Sequence, residues 1–414
     1  DAIPRYQTMK GKRVMRTWGW DCHGLPVENL IEKELGLKTK KDIETLGIGK
    51  FNDAARASVL RYDKEWQKIV PRTGRFVDMN NGYKTMDATY TESVWWSFKT
   101  LFDKDLIFEG FKSMHLCPRC GTTLSNFEVN QGYKDITDIS VTVKFELVDE
   151  PRTFLLAWTT TPWTLPGNVA LAVGEDVDYV YFTPSIKIGK PEEYIFSKDY
   201  FGKINPKLLL EKGFLEDEII KDLLLFYSFD EAAKDFIVNK YGGKIFKGSE
   251  LVGKSYKPVF DYYKDAKIKH IENAWKVYGA DFVTTEDGTG IVHIAPAFGE
   301  DDLKLARKND LPFIQHVAPD GKFKKEVTDF VGQDVKPKDD ENDKKGPGHM
   351  ITDINIIRYL QKTGSWFENK KLIHSYPHCW RCQTPLLNYA SNSWFVNVPK
   401  IKDKIVAENK KINR

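Results

Sequence analysis

Two Cys-x-x-Cys pairs constrain the fold of this chain more than any other feature of its sequence. The first pair is Cys117 and Cys120, and the second is Cys379 and Cys382. Four thiolates at this spacing are typical of one tetrahedral zinc site. If the pairs share a metal, the chain between them leaves this point and returns to it, as an insertion does. The alternatives are two unrelated pairs of buried cysteines or a redox-active Cys-x-x-Cys, while the lone Cys22 fits a small buried hydrophobe.

Length and charge narrow the class of protein. A chain of 414 residues exceeds what one hydrophobic core usually serves, so we expect two or three domains. The net charge of +3 excludes a strongly basic nucleic-acid coat but permits a local basic groove. No apolar run approaches the ~20 residues of a membrane span, and the N-terminus has no signal-peptide core. Because metal-spaced cysteines suit a reducing compartment, we expect a soluble, cytoplasmic monomer without membrane or DNA partners.

The first part of the chain reads as strand, loop and helix. The loop runs through Trp18-Gly19-Trp20-Asp21-Cys22-His23-Gly24-Leu25-Pro26, and an apolar helix face follows it. In an open α/β sheet such a loop lies at the carboxyl edge, where ligands bind. Asp21 could hold an ammonium group there, or it could cap the following helix. Aromatic residues at helical spacing between 94 and 102 are expected in a core.

The pattern changes after the first cysteine pair. Apolar residues alternate with polar ones from 139 to 147, which predicts a half-buried strand and the start of a β-rich domain. Residues 187–244 are charged and helix-prone, and they predict a helical insertion into that domain. The predicted fold class is therefore α/β, a Rossmann-like domain interrupted by a mostly-β, barrel-like one. The predicted segments are 1–116 (first part of the Rossmann-like domain), 117–134 (connector with the first cysteine pair), 135–335 (β-rich domain), 336–388 (return connector with the second pair) and 389–414 (start of the second part of the Rossmann-like domain).

Three consecutive hydroxyl residues, Thr159, Thr160 and Thr161, precede Pro162 in the β-rich region. Successive strand residues point to opposite faces, so a regular strand would separate these hydroxyls. A turn before the proline could gather them instead. The alternative is the ordinary preference of threonine for strands.

A second polar stretch covers residues 286–302. Gly288 and Gly290 allow a close backbone approach, and His293 and Asp302 flank a turn that contains proline. Together they predict a pocket with one imidazole and one carboxylate. The alternatives are a structural histidine and a helix N-cap at Asp301 and Asp302. Because no Gly-x-Ser-x-Gly motif is present, hydrolysis at this pocket would use a water oriented by hydroxyl and backbone groups.

As a set, these motifs resemble the isoleucyl-tRNA synthetases of class I. The resemblance rests on residues 19–28, 159–168, 287–302 and 374–382, in that order along the chain. Valyl and leucyl relatives differ around the Gly-Trp-Asp loop, and valyl relatives also differ in the threonine stretch. The resemblance implies a Rossmann catalytic domain interrupted by a β-rich editing domain, with isoleucine tRNA, isoleucine and valine as partners.

The resemblance also implies a role for each site residue. Asp21 would hold the amino group of isoleucine, Trp394 would line the side-chain pocket, and the four paired cysteines would hold zinc. In the editing pocket, His293 would exclude the larger amino acid and Asp302 would pair with the ammonium. The groups around the terminal adenosine and the scissile ester would be Thr159, Thr160, Thr161, Trp163 and Asn168, with Gly288 and Gly290 beside them.

The family needs two sites because one methylene in an apolar pocket is worth only ~1–3 kcal/mol. The His-Ile-Gly-His and Lys-Met-Ser-Lys-Ser motifs, which handle ATP and magnesium in the intact parent enzyme, are absent, and both ends look cut. We therefore expect a fragment that edits but cannot form isoleucyl-adenylate. The alternatives are an inactive zinc-knuckle tRNA-binding module and a related valyl- or leucyl-type synthetase. A free-standing deacylase is disfavoured because 1–115 and 383–414 read as parts of a catalytic fold.

Overall fold

A computed structural model of the protein describes residues 1–37, 40–183, 192–201, 243–338 and 348–412. The chain divides into two compact units. The first unit comprises Asp1–Gly110 and Asn392–Arg414, and the inserted unit is Phe111–Ser391. Most of the predicted helical insertion at 187–244 lies outside the described residues. Within the described ranges, no helix is both long enough and apolar enough to cross a membrane.

The first unit contains a pair of parallel strands, β1 and β2, in which Thr17 lies opposite Asp78. Parallel strands require a crossover connection, and helices supply it here. The elements are α1 (Ala2–Met9), β1 (Thr17–Trp20), α2 (Leu25–Glu34), α3 (Lys40–Leu46), α4 (Ile48–Val59), α5 (Asp63–Arg72), β2 (Asp78–Lys84) and α6 (Ala88–Phe102), with α11 (Lys402–Lys410) near the end of the chain.

Helix α6 departs from its prediction. Its aromatic residues were expected in a core, yet Trp95 is 71% exposed and Trp96 is 69% exposed. No residue of α6 is buried. Helical spacing of apolar residues predicts that a helix has an apolar face, but not that another element covers the face.

The inserted unit is mostly β. Its elements are β3 (Ile107–Cys117, which begins in the first unit), β4 (Thr122–Leu124), α7 (Asn126–Val129), β5 (Tyr133–Glu146), β6 (Thr153–Thr159), β7 (Ala170–Val173), β8 (Asp178–Phe182), β9 (Glu193–Ser197), α8 (Lys198–Phe201), β10 (Ile245–Lys247), β11 (Lys276–Gly279), β12 (Ile291–Ile294), α9 (Glu300–Lys308), α10 (Ile351–Thr363), β13 (Trp366–Pro377) and β14 (Leu387–Val396, which ends in the first unit). Strand β9 falls within the predicted helical insertion, so that prediction is wrong for these five residues.

One mixed sheet of nine strands organises the inserted unit. Its order is β10-β8-β9-β6-β12-β7-β11, and β5 and β13 branch from β6. The sheet curls, because single bridges from Leu147 to Tyr256 and from Ser255 to Lys276 link the end of β5 to β11. The core inside this curve is built from aliphatic and aromatic residues of β5, β6, β7 and β12.

Strand β5 is more deeply buried than its alternating sequence predicts. All six residues from Asp138 to Val143 are buried, including Ser140 and Thr142. The strand pairs with β6 on one side and β13 on the other, and α10 packs against it. The polar face expected in solvent is therefore covered, and the half-buried assignment is wrong.

Candidate functional site

The four paired cysteines form a cluster at the base of the inserted unit. Their sulfur atoms all lie within 4.8 Å of one another. The Cys382 sulfur lies 3.5 Å from that of Cys117 and 3.7 Å from that of Cys120. A tetrahedron with metal–sulfur bonds of ~2.3 Å requires sulfur separations of about 3.8 Å, so the cluster could hold a metal ion. The prediction that both pairs meet at one point is confirmed.

Each cysteine pair is shaped by the same turn. The residue after the second cysteine donates its N–H to the carbonyl oxygen of the first, at 2.8 Å for Gly121 and 2.7 Å for Gln383. Both residues have a positive φ, +62° and +61°. Glu128 links the second pair to α7, because its carboxylate accepts hydrogen bonds from Trp380 and Arg381 while it also caps α7. Backbone turns thus shape both pairs, and a carboxylate of α7 holds the second one.

The second constellation lies at one edge of the curled sheet. Strands β6 and β12 are parallel neighbours, with Val292 opposite Trp158. Parallel strands end at the same edge, so the residues that follow β6 and β12 leave from one place. After β6 comes a 3₁₀ turn at Pro162–Gly167, and after β12 comes the approach to α9. Here the two polar stretches of the sequence meet.

The turn gathers hydroxyl groups. The oxygen of Thr161 lies 3.3 Å from that of Thr159 and 3.4 Å from that of Thr164. The Thr161 N–H donates to the Thr159 oxygen at 3.1 Å, and the Thr164 hydroxyl donates to the Thr161 carbonyl at 2.8 Å. Alternation along the strand puts Thr159 and Thr161 on one side and Thr160 on the other. Thr164 completes the row, although the sequence analysis did not single it out.

His293 lies on β12 between two polar side chains. Its Nε2 is 2.8 Å from the Thr164 hydroxyl, and its Nδ1 is 3.0 Å from the Asn168 amide nitrogen. The Asn168 amide also donates to the Ala170 carbonyl at 2.9 Å and accepts from the Tyr256 hydroxyl at 2.7 Å. Burial, helped by His316, lowers the pKa of His293 to about 3, so the ring is neutral at physiological pH. No local signal in the sequence marks Tyr256 as part of this group.

Asp302 sits in the first turn of α9 and points back to the end of β12. Its Oδ2 accepts the Ala295 N–H at 2.7 Å. A Cβ atom on Gly299 would lie 2.7 Å from the Asp302 carboxyl carbon, so only glycine leaves room for this orientation. Burial raises the pKa of Asp302 to about 7. Across the described ranges no Lys, Arg or His forms an ion pair with Asp302, which leaves the carboxylate suited to a bound cation.

A cavity of about 250 Å³ opens beside Thr159, the first residue of the hydroxyl row. Its lining residues include four predicted site residues, Thr159, Thr160, Gly288 and Gly290. The residues predicted for this pocket that do not line it are Thr161, Trp163, Asn168, His293 and Asp302. Both glycines have φ of +72°, and their missing side chains make room for Trp158 and Ser197. Trp163 was expected near the adenosine, but the structure places it in the core, 2% exposed and packed edge-on against Phe298.

Buried groups hold the Trp163 backbone from both sides. The Trp163 N–H donates to Asp353 Oδ1 at 3.2 Å, and its carbonyl accepts from His316 Nε2 at 3.0 Å. Lys336 Nζ lies 2.6 Å from both Asp138 carboxylate oxygens and 3.5 Å from Asp353 Oδ2. Burial raises the pKa of Asp353 to about 7 although Lys336 opposes the shift. No spacing rule in the sequence reveals this cluster, because its members are far apart along the chain.

The two candidate residues of the first unit are exposed. Asp21 lies in the loop between β1 and α2, where its Oδ1 accepts the His23 N–H at 3.4 Å and caps no helix. Trp394 is 55% exposed and packs edge-on against Phe98 of α6, with ring centroids 6.0 Å apart. In the described part of this unit, no hydrogen bond or ring contact joins Asp21 to Trp394.

Comparisons with known proteins agree with the sequence motifs. A family model described as tRNA synthetases class I (I, L, M and V) matches residues 1–414. The isoleucine–tRNA ligase of Treponema denticola is 45% identical, over 100% of this chain and 36% of its own length. That of Bdellovibrio bacteriovorus is 42% identical, over 99% of this chain and 34% of its own. The chain spans about a third of the length of these curated relatives.

Solved structures show a more distant likeness. The crystal structure of GlLeuRS-CP1 matches 41% of this chain and 59% of its own, with 17% identity and a TM-score of 0.27. The editing domain of the Plasmodium knowlesi cytosolic leucyl-tRNA synthetase matches 44% of this chain and 66% of its own, with 15% identity and a TM-score of 0.28.

Proposed function

Since this chain belongs to the class I tRNA synthetases, we propose that its inserted unit is an editing domain that hydrolyses valine from mischarged isoleucine tRNA. The parent enzyme would attach isoleucine to that tRNA with ATP and magnesium. The relatives named isoleucine–tRNA ligase, 42–45% identical across the chain, support this choice within the class.

The proposal depends most on the sheet edge where β6 and β12 end together. There a hydroxyl row, a neutral imidazole and a carboxylate meet, and the described residues give that carboxylate no cationic partner. An aminoacyl ester carries an ammonium group, which requires a carboxylate, and a carbonyl, which requires an oriented water. Asp302 supplies the carboxylate, Thr159 and Thr161 supply hydroxyls of the row, and Thr160 supplies one from the other side of the strand.

Selection in this pocket would rest on size. Synthesis alone discriminates valine from isoleucine poorly, because one methylene is worth only ~1–3 kcal/mol. His293 is the proposed wall that admits valine and excludes isoleucine. Its ring is fixed at both nitrogens, at 2.8 Å and 3.0 Å, so it cannot turn aside for a larger side chain.

The first unit is proposed to be part of a Rossmann-like catalytic domain. The parallel pair of β1 and β2 and the strand-loop-helix around Asp21 support this assignment. In that domain Asp21 would hold the amino group of isoleucine, and Trp394 would line its side-chain pocket.

Zinc is the proposed metal of the cysteine cluster. Cys117, Cys120, Cys379 and Cys382 offer four thiolates, the ligand set of structural zinc sites. A closed four-thiolate site has no open position for substrate, so the metal would stabilise the fold and take no part in hydrolysis. The residues of this site therefore tie both ends of the inserted unit together.

The test is release of amino acid from isoleucine tRNA charged with valine or isoleucine. We expect this chain to release valine and spare isoleucine, and His293→Ala to release both. Asp302→Asn should abolish valine release, while Asp301→Asn, the same change at an exposed neighbour, should not.

If the unaltered chain releases neither amino acid, a valyl-adenosine analogue that cannot be hydrolysed decides the outcome. Binding that is lost in Asp302→Asn would show a working pocket to which the tRNA end is not delivered. No binding by the unaltered chain would refute the proposed site.

A further inference from the structure

A buried line of hydrogen bonds runs from Tyr256 to the hydroxyl row, and its donors and acceptors can be assigned. The Ala170 carbonyl can only accept, so the amide group of Asn168 that lies 2.9 Å from it must be the NH₂. The Asn168 oxygen then faces Tyr256, whose hydroxyl donates to it at 2.7 Å. The amide of Asn168 therefore has one orientation.

This orientation decides the tautomer of His293. The Asn168 NH₂ donates to Nδ1 at 3.0 Å, so Nδ1 must be the unprotonated nitrogen of the neutral ring. The proton is then on Nε2, which donates to the Thr164 oxygen at 2.8 Å. The Thr164 hydrogen remains, and it donates to the Thr161 carbonyl at 2.8 Å.

The same assignment of donors and acceptors gives the direction of each hydrogen bond along the hydroxyl row. Because the Thr164 hydrogen is committed, the 3.4 Å contact between Thr161 and Thr164 must use the Thr161 hydrogen. The 3.3 Å contact between Thr159 and Thr161 must then use the Thr159 hydrogen. The Thr159 and Thr161 hydrogens therefore point along the row toward Thr164, while the Thr164 hydrogen points to the Thr161 carbonyl. Thr159, which lines the cavity, presents only oxygen lone pairs there.

We propose that Asn168, held by Ala170 and Tyr256, is a positioning residue that fixes His293 as the neutral Nε2–H tautomer and makes the hydroxyl row a set of acceptors for the hydrolytic water. This proposal rests on the editing function proposed above. A water that donates both hydrogens to acceptors turns its oxygen lone pair away from them, toward the ester carbon.

The reaction balances without any further reagent. The water oxygen bonds to the carbonyl carbon, and the ester bond between that carbon and the ribose oxygen breaks. One water hydrogen ends on the ribose hydroxyl, and the second is released as a proton. The amino acid leaves as a carboxylate. Asn168, Tyr256 and His293 hold the row and do not exchange protons with substrate.

The tautomer can be measured directly on this chain by ¹⁵N NMR after labelling the histidines. His293→Gln identifies the His293 signals by their loss. We expect Nδ1 in the unprotonated range and Nε2 in the protonated range at neutral pH. A protonated Nδ1, on a neutral or a charged ring, would overturn the inference, and this measurement depends on no variant other than the one used for assignment.

A variant tests the consequence for hydrolysis. Asn168→Asp removes the N–H that faces Nδ1, so we expect a proton on Nδ1 and a reversed row. With its water misplaced, kcat should fall by about 100-fold while KM stays unchanged. Asn273→Asp is the matched control, because its amide also donates to a backbone carbonyl, that of Asp310 at 2.9 Å, and does not touch His293. The control should change neither the tautomer nor kcat.

The two proposals fail in different ways. Hydrolysis of valyl-tRNA by a chain whose His293 carries its proton on Nδ1 would refute the tautomer and leave the editing function standing. An Nε2–H ring in a chain that neither binds nor hydrolyses the valyl ester would support the tautomer and refute the function. Unchanged kcat in Asn168→Asp, with a shifted proton, would overturn the link between tautomer and water.

Discussion

Replacing Lys336 by methionine should destabilise the inserted unit more than a similar substitution at the surface does. The ammonium of Lys336 lies 2.6 Å from the Asp138 carboxylate and 3.5 Å from that of Asp353, and all three side chains are at most 1% exposed. Methionine fills a similar volume but leaves two buried carboxylates without their shared cation. Removing one partner of a buried ion pair costs about 3–5 kcal/mol. Since one lysine serves two carboxylates, we expect the upper half of that range, or a fall in Tm of roughly 10 °C.

The assay is urea and thermal unfolding of the 414-residue chain followed by circular dichroism. Lys322→Met is the matched control, because its ion pair with Asp334 at 2.8 Å is exposed and should cost at most about 1 kcal/mol. The triple variant Lys336→Met, Asp138→Asn and Asp353→Asn should recover much of the loss, because no uncompensated charge remains. Burial raises the pKa of Asp353 to about 7 even with Lys336 present, so the loss of stability should shrink as pH falls and Asp353 becomes protonated. The reasoning would be refuted if Lys336→Met were as stable to unfolding as Lys322→Met, or if the triple variant were less stable than Lys336→Met alone.

Three further predictions test other parts of the molecule. If Asp302 binds the substrate ammonium as proposed, it must be ionised, and its pKa is raised to about 7. The value of kcat/KM for valine release should therefore climb as pH rises through 7, and a flat profile in the unaltered chain contradicts this role. Metal chelation, or Cys382→Ser, should unfold the cysteine cluster before the curled sheet, and simultaneous melting in hydrogen exchange would show otherwise. Gly290→Ala should destabilise by about 1–3 kcal/mol more than Gly253→Ala, measured by urea unfolding. Both glycines have a positive φ, but of the two only Gly290 has an atom within reach of a new Cβ, 2.5 Å away in Ser197. Equal losses of stability in the two variants would show that this contact has no effect.

The sequence could predict the parts of the site that depend on local chemistry. A Cys-x-x-Cys pair places two thiols on one turn, as in metal sites, so two such pairs predict one shared cluster. The sulfur positions agree with that prediction. A regular strand would separate the three hydroxyls, and the proline after Thr161 indicates a turn that could gather them. The structure brings Thr159 and Thr161 together but adds Thr164, which is one 3₁₀ turn further along and could have been included on that ground.

The rest of the site could not be predicted, because it depends on which distant elements meet. Tyr256 reaches Asn168 across 88 positions of sequence, and Lys336 reaches Asp138 across 198. The prediction that β5 is half-buried is wrong for the same reason. Its alternating pattern shows that one face is apolar, but only tertiary packing decides that the polar face is also covered. Asp138 on that covered face then requires a cation, and Lys336 supplies it.

These distant contacts explain how an irregular turn can keep its hydroxyl groups in fixed positions. The turn at Pro162–Gly167 contains two prolines, whose nitrogens cannot donate a hydrogen bond. Asp353 and His316 instead hold Trp163 by its N–H and its carbonyl, and Gly167 has no side chain because a Cβ would lie 2.3 Å from the His316 ring. The buried ring of Trp163 anchors the same point in the core. In the proposed site the hydroxyl positions are fixed before a ligand binds, so Asp353→Asn should lower the rate of valine release although Asp353 does not line the cavity.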